Sequence, residues 1–367
     1  MRGGENSRWL ILGLLGAIAF TMVPARGGAD LTLYRHMAQV ALAGGYPYSD
    51  RYADFPPLKM AMIVLLERWR AWAIFRTIGF AALVATSLAL AAGNRSWPRL
   101  AVLVLCFQPL VYHNWVDPFE DKWVYALLIL GALVVARPPD WAREPGRTRA
   151  VAVALGLLAA YSGVTIVLLP LLLLELRRHR QSASRLIECA VIAFGIVLLG
   201  HLPFFPHWLS GYAHRFARQT FTDPVHESVF VLFKAAGAYT SALPSVLTLA
   251  GVVFGYVWWW RMRDWGTATL IAFWSTLALG PDASFDRILA ATFPIFVILA
   301  RRPLAIGAVL ATLLVAGARV GSSDLGHGAG PVAILWTPVV LALGFWLARA
   351  NVVSAEPEAL GLSRTGS

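Results

Sequence analysis

The chain has 367 residues, 58% of them hydrophobic and only 14% charged, with a mean hydropathy of +0.64. A soluble globular protein carries roughly 25% charged residues, so the composition excludes an ordinary soluble domain and points to a polytopic membrane protein. The formal net charge of +11 does not call for a nucleic-acid partner, because the positive residues fall in short clusters between apolar runs, where membrane topology accounts for them.

Apolar runs fall near 8–25, 71–92, 99–113, 122–137, 150–174, 185–204, 242–260, 266–281, 286–300, 303–320 and 331–348. A spanning helix needs about 20 residues, or about 17 at the short end, and several of these runs sit at that limit. The first is read as an uncleaved span rather than a signal peptide, because so many more spans follow. Cys106 and Cys189 both lie inside apolar segments, which argues against a disulfide or a zinc site.

After the first span comes a polar stretch, residues 28–58. Its first half has helical periodicity, with Leu31, Tyr34, Ala38 and Ala41 on one face and Arg35, His36 and Gln39 on the other. Gly44 and Gly45 stop that helix, and Pro47, Pro56 and Pro57 fix the chain beyond it. The expectation is an interfacial amphipathic helix, then a tyrosine-rich loop that re-enters the membrane at Pro57. Residues 57–66 are too short to cross and are expected to form a partly buried external helix.

The arginine clusters set the orientation. Arg2 and Arg8, Arg95 and Arg99, Arg137 to Arg149, Arg177 to Arg185, Arg261 and Arg263, Arg301 and Arg302, and Arg349 are placed together on the cytoplasmic side. The run 150–174 then has arginines at both ends and cannot be a single crossing. It is expected to enter and return as two half-length helices, breaking near Tyr161-Ser162-Gly163, which is tolerated only inside protein or along a cavity. With that map, 12 of the 20 acidic residues fall on the external side, among them Asp30, Asp50, Asp54 and Glu67. The fold class is therefore all-α: a polytopic helical bundle of about 10–12 membrane segments, some short or re-entrant, spanning residues 1–350 with an external catalytic loop at 26–70. The tail 351–367 is expected to be disordered and cytoplasmic, as is the N-terminus.

No P-loop, Gly-x-Gly-x-x-Gly, His-Glu-x-x-His or Gly-x-Ser-x-Gly motif is present. Three constellations carry possible chemistry. Asp30 lies where lipid and water meet and is placed to act as a general base on a sugar hydroxyl; the competing role is an N-cap for the helix from Leu31. Asp117, Glu120, Asp121 and Lys122 form an external turn suited to hydroxyls, a lipid phosphate or a divalent ion, or to nothing beyond a solvated ion pair. His201, His207, His214, Arg215, Arg218 and His226 lie in a long external segment; arginine suits phosphate geometry, and a plain interfacial helix is the competing reading.

The stretch that begins at Asp30 resembles integral-membrane glycosyltransferases of the C superfamily. The likeness is closest to the bacterial polyprenol-phosphate-mannose-dependent mannosyltransferases and the first mannosyltransferase of GPI-anchor assembly. The resemblance rests on Asp30, Tyr34, Gly45-Tyr46-Pro47-Tyr48, Tyr52 and Pro56-Pro57-Leu58, over about 30 residues. Two positions depart from the family. Gly28 stands where the first acid of an Asp-x-Asp pair often lies, and the turn Tyr161-Ser162-Gly163 replaces a basic His-x-Lys-type motif.

What the resemblance implies is transfer of a hexose, mannose in particular, from a polyprenyl-phosphate donor to a glycan or glycolipid acceptor, with inversion, at the plasma (inner) membrane. Asp30 would be the catalytic residue. Tyr34, Tyr46, Tyr48, Asp50, Arg51 and Tyr52 would bind substrate, with Asp117, Glu120, Asp121, Lys122, Arg215 and Arg218. No cofactor and no metal are expected. The competing classes are a transporter or flippase of lipid-linked saccharides and a non-catalytic subunit of a membrane assembly.

Overall fold

The computed structural model describes residues 29–49, 56–75, 122–210, 213, 230–280, 291 and 294. The apolar runs near 8–25, 99–113, 303–320 and 331–348 and the tail 351–367 lie outside the described residues, as do most of 71–92 and 286–300. Among the described residues every regular element is helical and there is no strand. The α-helices are α1 (Ala29–Leu42), α2 (Pro57–Arg68), α3 (Lys122–Val135), α4 (Pro145–Ser162), α5 (Leu168–Arg178), α6 (Ala183–Gly200), α7 (Phe230–Ala235), α8 (Leu243–Met262) and α9 (Trp265–Ala278). Single 3-10 turns lie at Pro47–Ser49, Trp141–Arg143 and Val164–Val167.

The expected reversal after residue 150 is present. α4 ends on Gly163, whose φ of +66° is open to glycine and costly for other residues, and whose N–H bonds back to the Ala159 carbonyl. The Val164–Val167 turn then leads into α5, which runs back to the Trp141–Arg143 turn at the start of α4. The two limbs differ from the expectation in length. α4 has 18 residues and α5 has 11. At a rise of about 1.5 Å per residue the first is a full-length limb of about 27 Å and only the second is half-length. The extra length comes from Pro145 at N1, which starts α4 five residues before the apolar run because a proline there gives up no helical bond.

Named contacts fix how the helices run. The Tyr125 and Tyr161 rings meet at 5.6 Å, while at the other end Arg147 donates to the Val135 carbonyl, so α3 and α4 are antiparallel. α4 and α6 run side by side in the same direction, with Arg149 on Glu188, Gly156 against Ala193 and Ala160 against Gly200. α8 accompanies α5: Tyr256 donates to the Val167 carbonyl, Trp259 to Glu175, and Arg178 to the Arg263 carbonyl. α9 returns along α8, with Gly255 against Ala272 and Gly251 against Ser275. One end of the bundle therefore gathers Arg143, Arg147 and Arg149, Arg177 to Arg185, and Arg261 and Arg263. Three of the arginine clusters grouped by sequence share this end. α1 and α2 sit at the opposite end, where Leu58 meets Gly200.

Among the described residues two helices, α6 and α8, are long and apolar enough to cross a membrane, with mean hydropathies of 1.9 and 1.4. Only 17% and 22% of those windows are buried inside the protein. Ile187, Val191, Leu198, Val246, Leu249 and Trp260 stand exposed along them. α3 is shorter and apolar.

Two measurements check this arrangement. On a background with Cys106 and Cys189 replaced by alanine, cysteines at Gly146 and Ser182 should label from one side of sealed vesicles and a cysteine at Ser210 only from the other. Labelling of all three from one side would contradict the two-ended bundle. A Cβ at Gly156 would lie 2.9 Å from the Ala193 carbonyl oxygen and 3.0 Å from its Cα, both backbone atoms. Gly156→Ala should therefore destabilise the detergent-solubilised protein by about 1–3 kcal/mol, outweighing the helix-propensity gain of alanine.

Candidate functional site

The α1–α2 pair is a small platform with its own core. Tyr34 and Ala38 pack on Ile63, Leu66 and Trp72. Met37 packs with Met60 and Tyr48, flanked by Leu33, Phe204 and Trp208. Arg35, His36 and Gln39 are exposed, as the helical periodicity predicts. The helix ends at Leu42, and Gly44 at φ +82° turns the chain out of it. A Cβ at Gly45 would lie 2.9 Å from the Val40 side chain and 3.0 Å from its carbonyl oxygen, so the second glycine permits the close return.

Polar contacts between the two helices set their register. The Trp72 indole donates to Glu67 Oε2 at 2.6 Å, Gln39 donates to Oε1 at 3.4 Å, and Arg35 lies 3.6 Å from Oε2. Further along the seam Lys59 Nζ donates to Tyr34 Oη at 3.5 Å and stands 5.3 Å from the centre of its ring. Lys59 is only 6% exposed, an unusual setting for a lysine. The sequence reading passed over Lys59. The signal available there was a single lysine in the apolar register of 57–66.

Asp30 lies within α1, whose described residues begin at Ala29. Asp30 is one turn from Tyr34, so the two share a helix face. Of the expected substrate-binding tyrosines, Tyr34 and Tyr48 are buried in the platform at 5% and 3% exposure. Tyr46 is 55% exposed and stacks on His207, with ring centres 3.7 Å apart. The first loop and the segment 201–210 therefore meet, although 161 residues separate the two rings in sequence (207 minus 46). His201 is tied to its own helix, its Nδ1 at 2.7 Å from the Val197 carbonyl and its ring against Trp208.

Lys122 is the first described residue of α3, at the platform end. Asp50, Arg51, Tyr52, Asp117, Glu120, Asp121, His214, Arg215, Arg218 and His226 lie outside the described residues. Among the described residues no three His, Cys, Asp or Glu side chains are grouped to hold a metal ion. No protein-family model matches the chain, and no curated protein matches it.

Glu67→Ala should loosen the platform by about 1–3 kcal/mol, because it leaves the Trp72 indole without its charged acceptor. The exposed Arg35 contact adds little to that. Faster proteolytic cleavage between residues 42 and 57, with the bundle intact, is the expected readout.

Proposed function

We propose that the chain is a multi-pass integral-membrane glycosyltransferase. It moves a hexose, mannose in particular, from a polyprenyl-phosphate donor to a glycan or glycolipid acceptor on the external face of the plasma (inner) membrane, with inversion. The bundle comprises about 10–12 membrane segments, both termini are cytoplasmic, and the platform faces outward.

The observation that carries this reading lies at the end of the bundle away from the arginines. The aspartate-bearing turn of α1, the buried Lys59–Tyr34 pair and the exposed Tyr46–His207 stack all belong to it. The largely uncovered apolar lengths of α6 and α8 support embedding in a bilayer, since a core helix of a soluble protein is mostly covered. A lipid-borne donor enters from the bilayer, so the absence of a nucleotide-binding motif fits the proposal.

In this reaction the acceptor hydroxyl oxygen attacks the anomeric carbon as the bond from that carbon to the phosphate oxygen breaks. Asp30 takes the hydroxyl proton and polyprenyl phosphate departs with the bonding electrons. Lys59 supplies positive charge beside the Asp30-bearing turn to offset the charge developing on the phosphate. The exposed Tyr46 ring offers a flat face to a sugar.

A second reading, transport of a lipid-linked saccharide, is favoured by one feature. The half-length α5 starts from a break in the helix in which the fully buried Thr165 hydroxyl has no hydrogen-bond partner among the described residues.

Asp30→Asn separates the readings. It keeps size and hydrogen-bonding capacity but cannot accept the proton. Purified protein given a radiolabelled polyprenyl-phosphate hexose and an acceptor extract should lose transfer by about two to four orders of magnitude while remaining folded. Lys59→Met should lower transfer by about 10–100-fold, the equivalent of about 1.5–3 kcal/mol for a bond to a charged group. Undiminished transfer by Asp30→Asn would leave Asp30 with a structural role only and remove the base from the proposal. Saccharide movement across vesicles without any new glycosidic bond would favour transport.

A further inference from the structure

The arginine end of the bundle carries more positive charge than its own acids neutralise. Four acids there pair locally: Asp140 with Arg143, Glu144 with Arg147, Glu175 with Arg178, and Glu188 with both Arg185 and Arg149. Asp264 instead caps α9, accepting from the Thr267 N–H. Arg177, Arg180 and Arg261 pair with no carboxylate among the described residues. They are not scattered, because the Arg178 guanidinium reaches the Arg263 carbonyl at 2.8 Å and so joins the α5–α6 loop to the α8–α9 loop.

Aromatic and apolar surface begins where these arginines stop. The Arg263 guanidinium lies 5.0 Å from the centre of the Trp260 ring, and that ring is 63% exposed. Ile187 and Val191 are exposed within two turns of Arg185 on α6, and Val257 stands one turn before Arg261 on α8. Unneutralised guanidinium groups, then an exposed indole, then bare aliphatic side chains match the order of headgroup phosphate, interface and hydrocarbon in a bilayer leaflet. A polyanion in water, such as a nucleic acid, would match the charge and leave the apolar border unexplained.

From this juxtaposition we infer that the arginine end is a binding surface for anionic phospholipid headgroups, with Arg177, Arg180 and Arg261 holding the phosphodiesters. The attraction is that of exposed cationic groups for phosphate charge, which a lysine can also supply. The inference needs the chain to sit in a bilayer but does not depend on glycosyl transfer, so it stands or falls separately from the role of Asp30.

The test uses the full chain in neutral detergent, mixed with equal amounts of dioleoyl-phosphatidylglycerol and dioleoyl-phosphatidylcholine. After repurification the retained lipids are quantified by mass spectrometry. Phosphatidylglycerol should be retained preferentially, and the preference should fall as sodium chloride rises. Each arginine near a headgroup contributes up to about fivefold, so the triple Arg177→Gln, Arg180→Gln, Arg261→Gln variant should cut the preference by about tenfold or more. The matching triple lysine variant, which keeps the charge, should retain most of it, and Arg147→Gln should change little. Equal retention of the two lipids by the wild type would overturn the inference. So would a salt-independent preference, or equal losses in the glutamine and lysine variants. Displacement of the lipid by an equimolar 20-nucleotide single strand would show a general polyanion surface and overturn it as well.

Discussion

A carboxylate buried to 3% exposure would normally cost several kcal/mol, and Glu175 is held there by three polar partners. The Trp259 indole donates to Oε2 at 2.6 Å, Arg178 to Oε1 at 3.0 Å, and His179 Nε2 stands 3.1 Å from Oε1. Two of these donors come from the same last turn of α5 and the third from α8. The returning limb of the hairpin is therefore locked to a helix 84 residues further on. If α5 did not return to this end, Glu175 would lose the Trp259 indole, and the cost of the uncompensated carboxylate would fall on the whole reversal. The left-handed turn at Gly163 and the charge junction at Glu175 are in this sense one constraint seen at two ends.

Close approach does the remaining work of assembly. In lipid, apolar side chains gain little by meeting one another, so helix association relies on backbone proximity and polar contacts. Gly156 against Ala193 and Ala160 against Gly200 bring α4 to α6, and Gly255 against Ala272 brings α8 to α9, without long side chains between them. The cluster around Phe273, Leu172 and Trp265 then fills the centre, and the outward faces of α6 and α8 stay bare. That division is the reverse of a soluble bundle, where the largest apolar residues leave the surface.

Much of this was legible in the sequence because it is local. Arginine clusters at both ends of 150–174, with Tyr161-Ser162-Gly163 between them, required a reversal, and the chain turns at Gly163. The short apolar run after Pro56-Pro57 required a helix too short to cross, and α2 is that helix. The ends of α4 and α5 were less legible, because Pro145 and Leu176 extend helices beyond the apolar runs used to find them. Lys59 and the Tyr46–His207 stack were not legible at all. Burial of Lys59 depends on Tyr34, 25 residues earlier, and nothing in the local pattern of either residue announces the other. Most of the remaining candidate residues, from Asp50 to Arg218, lie outside the described residues, so the tyrosine loop is known only at its two anchors.

Both ends of the bundle join separate elements with long-range polar contacts, and at the platform end one of these contacts buries a lysine. At the arginine end the pairs Asp140–Arg143, Glu144–Arg147, Glu175–Arg178 and Arg185–Glu188 are three residues apart, while Arg149–Glu188 joins α4 to α6 and Trp259–Glu175 joins α8 to α5. The pairs three residues apart form within one turn and specify little about how separate elements meet, so the two long-range contacts carry that role. At the platform end Glu67 draws Gln39 from 28 residues away and Lys59 draws Tyr34 from 25. Those contacts are made only when α1 and α2 cross in one register. An active site needs its groups held to within about half an ångström, and this comes from rigid elements locked by long-range contacts rather than from local pairs. Nothing about bundle stability requires a buried lysine between two short helices that do not themselves cross a membrane. Placing one there, in a register fixed from both sides, is a cost that the transferase proposed above would explain, since it needs a base and a cation positioned together.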